Sequence, residues 1–255
     1  MGTVTKALEL LSIMANSHSP LGLTALANKA QYDKATTRRM LLELLANGFV
    51  EQDSESRNYG LGPALQSLGK LRESRFPLVK TVQPFVRALA KQTEEMVHAT
   101  EYGNGILYSI SVEESTKANR ISLELGQKLP LHATASGIAF LAASTDSFIE
   151  AALKKPLVSF TPQTSVDRKN LMKSIVETSA RGYSISNQTF DEGVHSVAAA
   201  YFSARGRPLG TIAIAMPTLR ATPKMIATNG KLVSRAVADI SASLGFKKLH
   251  LRSAS

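Results

Sequence analysis

The chain of 255 residues is 44% hydrophobic and carries 30 Lys and Arg against 20 Asp and Glu, a net charge of +10. This length can build one large domain or two ordinary ones, with a sizeable core. Cysteine is absent, which excludes disulfides, thiolate nucleophiles and cysteine-ligated metals. The sequence has neither an apolar run of about 18 residues nor, in MGTVTKALEL, the hydrophobic stretch of a secretory signal. We therefore expect a globular, cytoplasmic protein with no membrane partner.

The positive charge is consistent with a nucleic-acid partner, because lysine and arginine neutralise phosphates. Its distribution does not locate the binding domain, however. Residues 1–76 hold nine basic and seven acidic side chains, whereas residues 77–255 hold 21 and 13. The positions of individual charges are therefore more informative than their sum.

The first part of the chain predicts three helices. Apolar residues recur at helical spacing over residues 4–16, and Pro20 and Gly22 then interrupt the pattern. The apolar positions of this first helix are Val4, Ala7, Leu8, Leu11 and Met14. A short second helix is predicted over residues 23–30 and a third over residues 34–47.

The third predicted helix has clear signals at both ends. Asp33 can cap its beginning, and Gly48 follows its end as a C-cap glycine does. One side carries the apolar set Thr37, Met40, Leu41 and Leu44. Arg39 lies roughly opposite, with Thr36 and Arg38 on the flanks, so the first turns are small and basic on the outside.

A short polar hairpin is predicted next, with strands over residues 49–52 and 58–61 and Arg57 in the turn. The order of three helices and a hairpin is that of a winged helix-turn-helix, whose recognition helix enters the major groove while the wing can reach a minor groove. The predicted DNA-binding residues are Thr36, Thr37, Arg38, Arg39 and Arg57. The pattern alone leaves open a small α+β unit with a solvated basic face.

The rest of the chain predicts a linker helix after residue 63, a second start at Pro77 and a domain boundary near residue 76. Predicted strands are two within residues 96–112, one at 119–126, and three at 183–186, 194–202 and 207–217. Predicted helices lie within residues 133–144, 165–182 and 224–245. The fold class is therefore α+β, with an antiparallel sheet and flanking helices.

The residues from Val4 to Gly69 resemble the N-terminal domain of the IclR (isocitrate lyase regulator) family of bacterial transcription regulators. The resemblance lies in KALELLSIMA, LTALANKAQYDKATTRRMLLELLANGFVEQD and YGLGPALQSLG. Two positions depart from the family: Gln31, where such turns often carry glycine, and Thr37, where an aliphatic residue is common.

The second half resembles the effector-binding domain of the same family, a GAF-like fold, in residues 126–142, 181–202 and the C-terminal helix. The resemblance implies a winged helix-turn-helix DNA-binding domain with a linker helix over residues 1–76 and an effector-binding domain over residues 77–255. It also implies a sequence-specific transcription regulator that binds double-stranded operator DNA and a small-molecule effector. A homo-oligomer, either a dimer or a dimer of dimers, is expected, because paired half-sites give specificity that one helix lacks.

The segment LPLHATASG, residues 129–137, is a candidate ligand site. Thr134 can cap a helix whose free N–H groups at Ala135 and Ser136 face a cavity and suit a carboxylate. Alternatively, the cap and the small residues serve tight packing alone.

The family resemblance implies that this segment lines the effector pocket. The pocket residues carried over from matching motifs are Ala135, Ser136, Ser186, Ser196, Ala213 and Ala215. In the family, the places of the two later alanines often hold serines and that of Ser186 an acid. We therefore expect a ligand with one carboxylate and an apolar or aromatic body, rather than a small, fully hydrated keto acid.

The residues give little support to catalysis. The histidines are His18, His98, His132, His195 and His250, and no spacing places two metal ligands on one helical face. Phosphate-loop, dinucleotide and G-x-S-x-G motifs are absent. We expect no metal, no cofactor, no catalytic residue and no enzyme activity. The alternative is a hydrolase that uses Ser136, for which the sequence offers no matching base, or a ligand sensor with a non-regulatory N-terminal domain.

Overall fold

The computed structural model describes residues 2–247; His250 therefore lies outside the described residues. Residue contacts divide the chain into two compact units, Met1–Pro77 and Leu78–Ser255.

The first unit contains three helices, a hairpin and a further helix, in the predicted order. The elements are α1 (Thr3–Ala15), α2 (Leu23–Ala30), α3 (Lys34–Ala46), β1 (Val50–Gln52), β2 (Tyr59–Leu61) and α4 (Pro63–Arg75). β1 and β2 pair antiparallel, with Val50 opposite Leu61, and Leu21 forms an additional bridge to Tyr59. The N-terminal half of the predicted fold is confirmed.

Local chemistry explains where α2 and α3 end. The Asp33 carboxylate accepts a hydrogen bond from the N–H of Thr36 at 2.7 Å and so caps α3. Gly48, just beyond the end of α3, has a φ of 71°, which glycine adopts without a Cβ clash. Gln31 ends α2 with a φ of 57°, a left-handed backbone conformation that is unfavourable for a residue with a Cβ.

The core of the first unit differs from the predicted stripe on α1. Val4 and Leu8 are 73% and 57% exposed, whereas Leu10 and Met14 are buried against α2, α3 and the hairpin. The helix is apolar on two overlapping faces, and packing selects the Leu10–Met14 face.

The second unit, as far as it is described, has one sheet and helices on both of its faces. Its helices are α5 (Leu78–Thr93), α6 (Ala135–Ala142), α7 (Asp146–Ala152), α8 (Arg168–Arg181) and α9 (Pro223–Ser243). Its strands are β3 (Met96–Gly103), β4 (Ile106–Glu113), β5 (Lys128–Leu129), β6 (Ser184–Asn187), β7 (Val194–Phe202) and β8 (Pro208–Pro217). The sheet order is β5-β4-β3-β8-β7-β6, and neighbouring strands are antiparallel. The predicted α+β class is confirmed.

The sheet separates a large core from the candidate ligand site, because side chains alternate between its faces. Val97, Val197 and Ile214 belong to the core cluster on the face that α5 and α9 cover. Their sequence neighbours Ser196 and Ala215 therefore lie on the other face, which α6 contacts.

One predicted strand was wrong and one helix was not predicted. Residues 119–126 alternate apolar and polar side chains like a strand but are irregular, and the paired strand is β5. Leu123 packs against the cluster around α6 and α8, whereas Leu125 is 70% exposed. The alternation thus reflects a loop with one buried side. The short helix α7 gave too few turns for a periodic signal.

Candidate DNA-binding surface and effector pocket

The first turns of α3 present two arginines to solvent. Arg38 and Arg39 are exposed and form no ion pair with residues 2–247. Successive helical residues are about 100° apart, so the two guanidinium groups leave α3 in different directions. Arg39 borders an apolar depression shared with Ala7 of α1, and Thr36 is half-buried beside it. The two arginines therefore occupy different parts of the exposed surface.

Thr37 does not belong to the exposed surface, which corrects the prediction that it contacts DNA. Its side chain is 0% exposed, and its hydroxyl donates to the carbonyl oxygen of Asp33 at 2.9 Å. The residue lies on the Met40–Leu41 face of α3 and packs in the core. Its polarity is satisfied inside the helix, so no hydroxyl remains for a base or a phosphate.

The hairpin holds Arg57 at an exposed tip. Asp53 organises the turn: its carboxylate accepts from both the N–H and the hydroxyl of Ser56 at 2.7 Å. These hydrogen bonds lower the pKa of Asp53, and the one from the Ser56 hydroxyl has the larger effect. The Arg57 N–H donates to the Asp53 carbonyl at 3.1 Å, and Arg57 has a φ of 58°. The turn thereby fixes the backbone while the guanidinium faces solvent.

A cavity at the start of α6, here called the α6 cavity, brings most of the predicted effector residues together. Its lining includes Ala135, Ser136, Ser186, Ser196 and Ala215. It contains about 480 Å³ of space free of protein atoms, its open mouth included. The enclosed volume is only about 50 Å³, so most of that space belongs to the open mouth.

Ala213 lies outside the lining of the α6 cavity, which corrects its prediction as a pocket residue. It is 1% exposed and packs in a cluster with Ala135, Ala139 and Ala198. Small side chains at this place let α6 approach the sheet closely. Gly137 allows a different close approach, that of the segment before α6, because an added Cβ would lie 2.2 Å from the carbonyl oxygen of Leu131.

The N-terminus of α6 offers hydrogen-bond donors to the cavity. The Thr134 hydroxyl accepts from the N–H of Gly137 at 2.9 Å and caps the helix. Within residues 2–247 no hydrogen bond engages the N–H groups of Ala135 and Ser136. Free N–H groups and the helix dipole together favour an anion here.

His98 also lines the cavity, although no sequence motif marks it as a site residue. Its Nε2 lies 3.2 Å from the Ser136 hydroxyl oxygen, and its Nδ1 has no partner among the described residues. Burial lowers the pKa of His98 to about 4, so the imidazole is neutral at pH 7. In the sequence, only its spacing of two residues from Met96, which places both side chains on the same face of β3, could have indicated this position.

His98 is therefore the residue beside Ser136 that could act as a base, which the sequence did not indicate. The pair nevertheless lacks the third group of a nucleophilic triad, because no described residue orients Nδ1. The contact is a hydrogen bond between β3 and the first turn of α6.

The remaining lining is mostly apolar and carries little charge. The apolar members are Met96, Ile121, Leu123, Leu129, Phe190 and Val194. Among residues 2–247, no Lys or Arg lines the cavity, and Asp191 provides a carboxylate whose pKa is raised by partial burial. A bound carboxylate would therefore meet N–H groups and hydroxyls, and a second negative charge would be unfavourable beside Asp191.

Within residues 2–247, no helix is long and apolar enough to cross a membrane. Over the same range, no group of three or more His, Asp or Glu side chains is arranged to hold a metal ion.

Family models match both units. The model of the IclR helix-turn-helix domain matches residues 3–54, and that of the bacterial transcriptional regulator IclR C-terminal domain matches residues 73–242. The chain belongs to the IclR family of bacterial transcription regulators. It is accordingly a DNA-binding transcription regulator with a C-terminal ligand-binding domain.

Similar proteins cover almost the whole chain. The transcriptional repressor IclR of Escherichia coli (strain K12) is 28% identical over 246 residues, which are 95% of this chain and 90% of that protein. The crystal structure of an IclR-type transcriptional regulator from Silicibacter sp. TM1040 has a TM-score of 0.83 and 35% identity, covering 96% of this chain and 97% of the other. An IclR homologue from Microbacterium hydrocarbonoxydans complexed with 4-hydroxybenzoate has a TM-score of 0.80 at 17% identity, covering 95% and 99%.

The names of the relatives also decide between the function classes left open by the sequence. They are transcriptional repressors and regulators rather than enzymes, so the hydrolase alternative is not supported. The match of the helix-turn-helix model likewise argues against a non-regulatory N-terminal domain.

Proposed function

We propose that this regulator binds a palindromic double-stranded operator through α3 and the hairpin, and that a small organic monocarboxylate in the α6 cavity controls this binding. The observation that carries the ligand class is the pair of free N–H groups at Ala135 and Ser136, two residues that line a cavity to which no Lys or Arg within residues 2–247 contributes. Such a site binds one carboxylate through hydrogen bonds and the helix dipole.

The DNA contacts divide between the two elements. Arg38 and Arg39 at the start of α3 contact base edges or phosphates in the major groove, with Thr36 beside them. Arg57 at the tip of the hairpin contacts phosphate or a narrow minor groove. Hydrogen bonds from its N–H to Asp53 and from Gln52 to its carbonyl oxygen hold the turn that carries it.

The body of the effector is apolar or aromatic. Met96, Ile121, Leu123 and Phe190 give the cavity an apolar lining that suits a ring or a branched chain better than a small hydrated keto acid. The Microbacterium homologue, with 4-hydroxybenzoate bound, offers a precedent for an aromatic carboxylate in this fold.

The protein acts in the cytoplasm as a dimer or a dimer of dimers. A single recognition helix reads only a few base pairs, and two half-sites on a palindrome supply the missing specificity. Residues 1–76 form the DNA-binding domain and residues 77–255 the effector domain. This boundary lies next to Pro77, where the first compact unit ends.

The experiment is calorimetric titration of the full chain with benzoate, phenylacetate, pyruvate and glyoxylate. Aromatic acids should bind more tightly than the keto acids. Ala135→Pro removes one N–H from the first helical position, where proline is tolerated, and should weaken binding about 10-fold or more.

A matched control is Asp146→Pro at the first position of α7, which lies outside the cavity lining. It should leave the affinity unchanged. Tighter binding of pyruvate or glyoxylate than of every aromatic acid, or an equal response of both proline variants, would contradict the proposal.

A further inference from the structure

Three groups beside the α6 cavity form a hydrogen-bond chain with a fixed direction. The Thr189 hydroxyl lies 2.6 Å from the carbonyl oxygen of Ala133, and the Ser186 hydroxyl is bonded to Thr189 Oγ1. A carbonyl oxygen can only accept. The Thr189 proton is therefore committed to Ala133.

The direction of the second bond follows from the first. Because Thr189 has one proton and has used it, the Ser186 hydroxyl must donate to Thr189 Oγ1. Ser186 is 8% exposed and lines the cavity. Its oxygen consequently offers lone pairs to a ligand and no proton.

The loop that carries Thr189 is held in place. Thr161 donates to the carbonyl oxygen of Gln188 at 2.6 Å, and Thr164 donates to that of Thr189 at 2.7 Å. These bonds restrain the loop backbone on both sides of the peptide bond between Gln188 and Thr189. The orientation of the Ser186 hydroxyl is thus built into the structure.

The wall formed by β6 and the following loop therefore presents acceptors. Ser186 Oγ and the carboxylate of Asp191 both line the cavity. The N-terminus of α6 presents donors at Ala135 and Ser136. A ligand that satisfies both needs acceptor atoms for the helix and a donor for Ser186.

We propose that the effector is a hydroxy acid whose carboxylate faces the start of α6 and whose hydroxyl donates to Ser186 Oγ. This inference rests on the proposed function, because it assumes that the α6 cavity binds the effector. A keto, ether or fluoro group in place of the hydroxyl would set lone pairs against the lone pairs of Ser186 and leave a buried acceptor unpaired. Ser186 and Thr189 thereby determine specificity.

The experiment is calorimetric titration with three matched pairs of acids. The pairs are mandelate and phenylglyoxylate, 3-hydroxybenzoate and 3-fluorobenzoate, and 4-hydroxybenzoate and 4-fluorobenzoate. In at least one pair the hydroxy acid should bind 10-fold or more tightly than its partner. Benzoate serves as the reference for the carboxylate alone.

Two substitutions at residue 189 test the origin of the preference. Thr189→Val removes the acceptor for Ser186, so the Ser186 hydroxyl can turn and donate, and the preference for the hydroxy acid should fall at least fivefold. Thr189→Ser keeps the hydroxyl and should keep the preference. Ser186→Ala should lose the preference as Thr189→Val does.

The outcomes separate this inference from the proposed function. If aromatic carboxylates bind but no hydroxy acid is preferred, or if Thr189→Val leaves the preference intact, the inference is overturned and the carboxylate site stands. If none of the acids binds the wild-type protein, the proposed carboxylate effector fails and the hydroxy acid with it.

Discussion

The imidazole Nε2 of His98 lies 3.2 Å from the hydroxyl oxygen of Ser136, which joins the strand β3 to the first turn of α6 across 38 positions of sequence. The contact places a neutral polar group beside the N–H groups that face the α6 cavity. A ligand at the helix N-terminus would therefore touch a helix that is tied to the sheet. This tie has a consequence for stability that can be measured.

The protein should become less stable as the pH is lowered, because of His98. Burial lowers the pKa of His98 to about 4, below an unfolded value of about 6.5, so the unfolded state binds the proton first. The stabilisation is fully present above pH 6.5 and is lost as the pH falls towards 4. Between pH 7.5 and 5.0, urea denaturation should show a loss of about 2 kcal/mol that His98→Gln lacks.

The matched control for that comparison is His18→Gln, since His18 is exposed. It should retain the full pH dependence. Asp191, the other ionisable side chain of the cavity, is present in all three proteins and cancels from the difference. The same pH dependence in His98→Gln and in wild type would contradict this assignment.

Operator binding should depend on the arginines at the start of α3. Arg38→Ala or Arg39→Ala removes a guanidinium group that can pair with guanine and should cost about 1–3 kcal/mol of sequence discrimination. Fluorescence anisotropy with operator and random duplexes measures both affinity and discrimination.

Thr37→Val is the control for the arginine variants, because it alters the same helix on its buried side. It should leave operator affinity within twofold while lowering stability by about 1 kcal/mol through the lost bond to Asp33. A larger loss of binding in Thr37→Val than in both arginine variants would show that α3 does not face the groove.

The hairpin arginine should act without base discrimination. Arg57→Ala should weaken binding to operator and to random DNA by similar factors. It should also reduce the slope of log affinity against log salt concentration by about the amount expected for one phosphate contact. Arg57→Lys should recover most of the affinity. A loss confined to the operator sequence would assign base readout to the hairpin instead.

The end of α2 should gain stability from a glycine. Gln31 has a φ of 57°, and left-handed backbone costs a residue with a Cβ about 1–2 kcal/mol. Part of the gain is offset by the greater flexibility of unfolded glycine, so Gln31→Gly should stabilise the first unit by about 0.5–1 kcal/mol. Hydrogen exchange of the α2 amides measures this, and Gln31→Ala, which keeps the Cβ, should show no gain.

The order of the helices and strands could be predicted because its signals are local. Asp33, Gly48 and Pro77 mark helix ends through caps and fixed dihedral angles within a few residues. The false strand at 119–126 shows the limit of such patterns. An alternating sequence also fits a loop that packs one side on a core, and only the neighbouring elements decide.

The lining of the candidate site was predictable only where a motif carried it. Ala135 and Ser136 follow a capping threonine, so the sequence indicated their role at a helix start. His98 reaches Ser136, and Thr189 reaches Ala133, through contacts that the fold alone creates. The sequence likewise could not separate Ala213 from Ala215, which share one face of β8: Ala213 packs in the alanine cluster, whereas Ala215 lines the α6 cavity.

The most direct test is the operator affinity of wild type and Ala135→Pro, each with and without the tightest-binding acid from calorimetry, on an operator selected from random duplexes. At an acid concentration about ten times the wild-type Kd, the acid should change wild-type operator affinity at least fivefold and that of Ala135→Pro at most about twofold, while both proteins bind the operator equally without ligand. An equal change in both proteins, or no change in wild type at saturating acid, would contradict control of DNA binding from the start of α6.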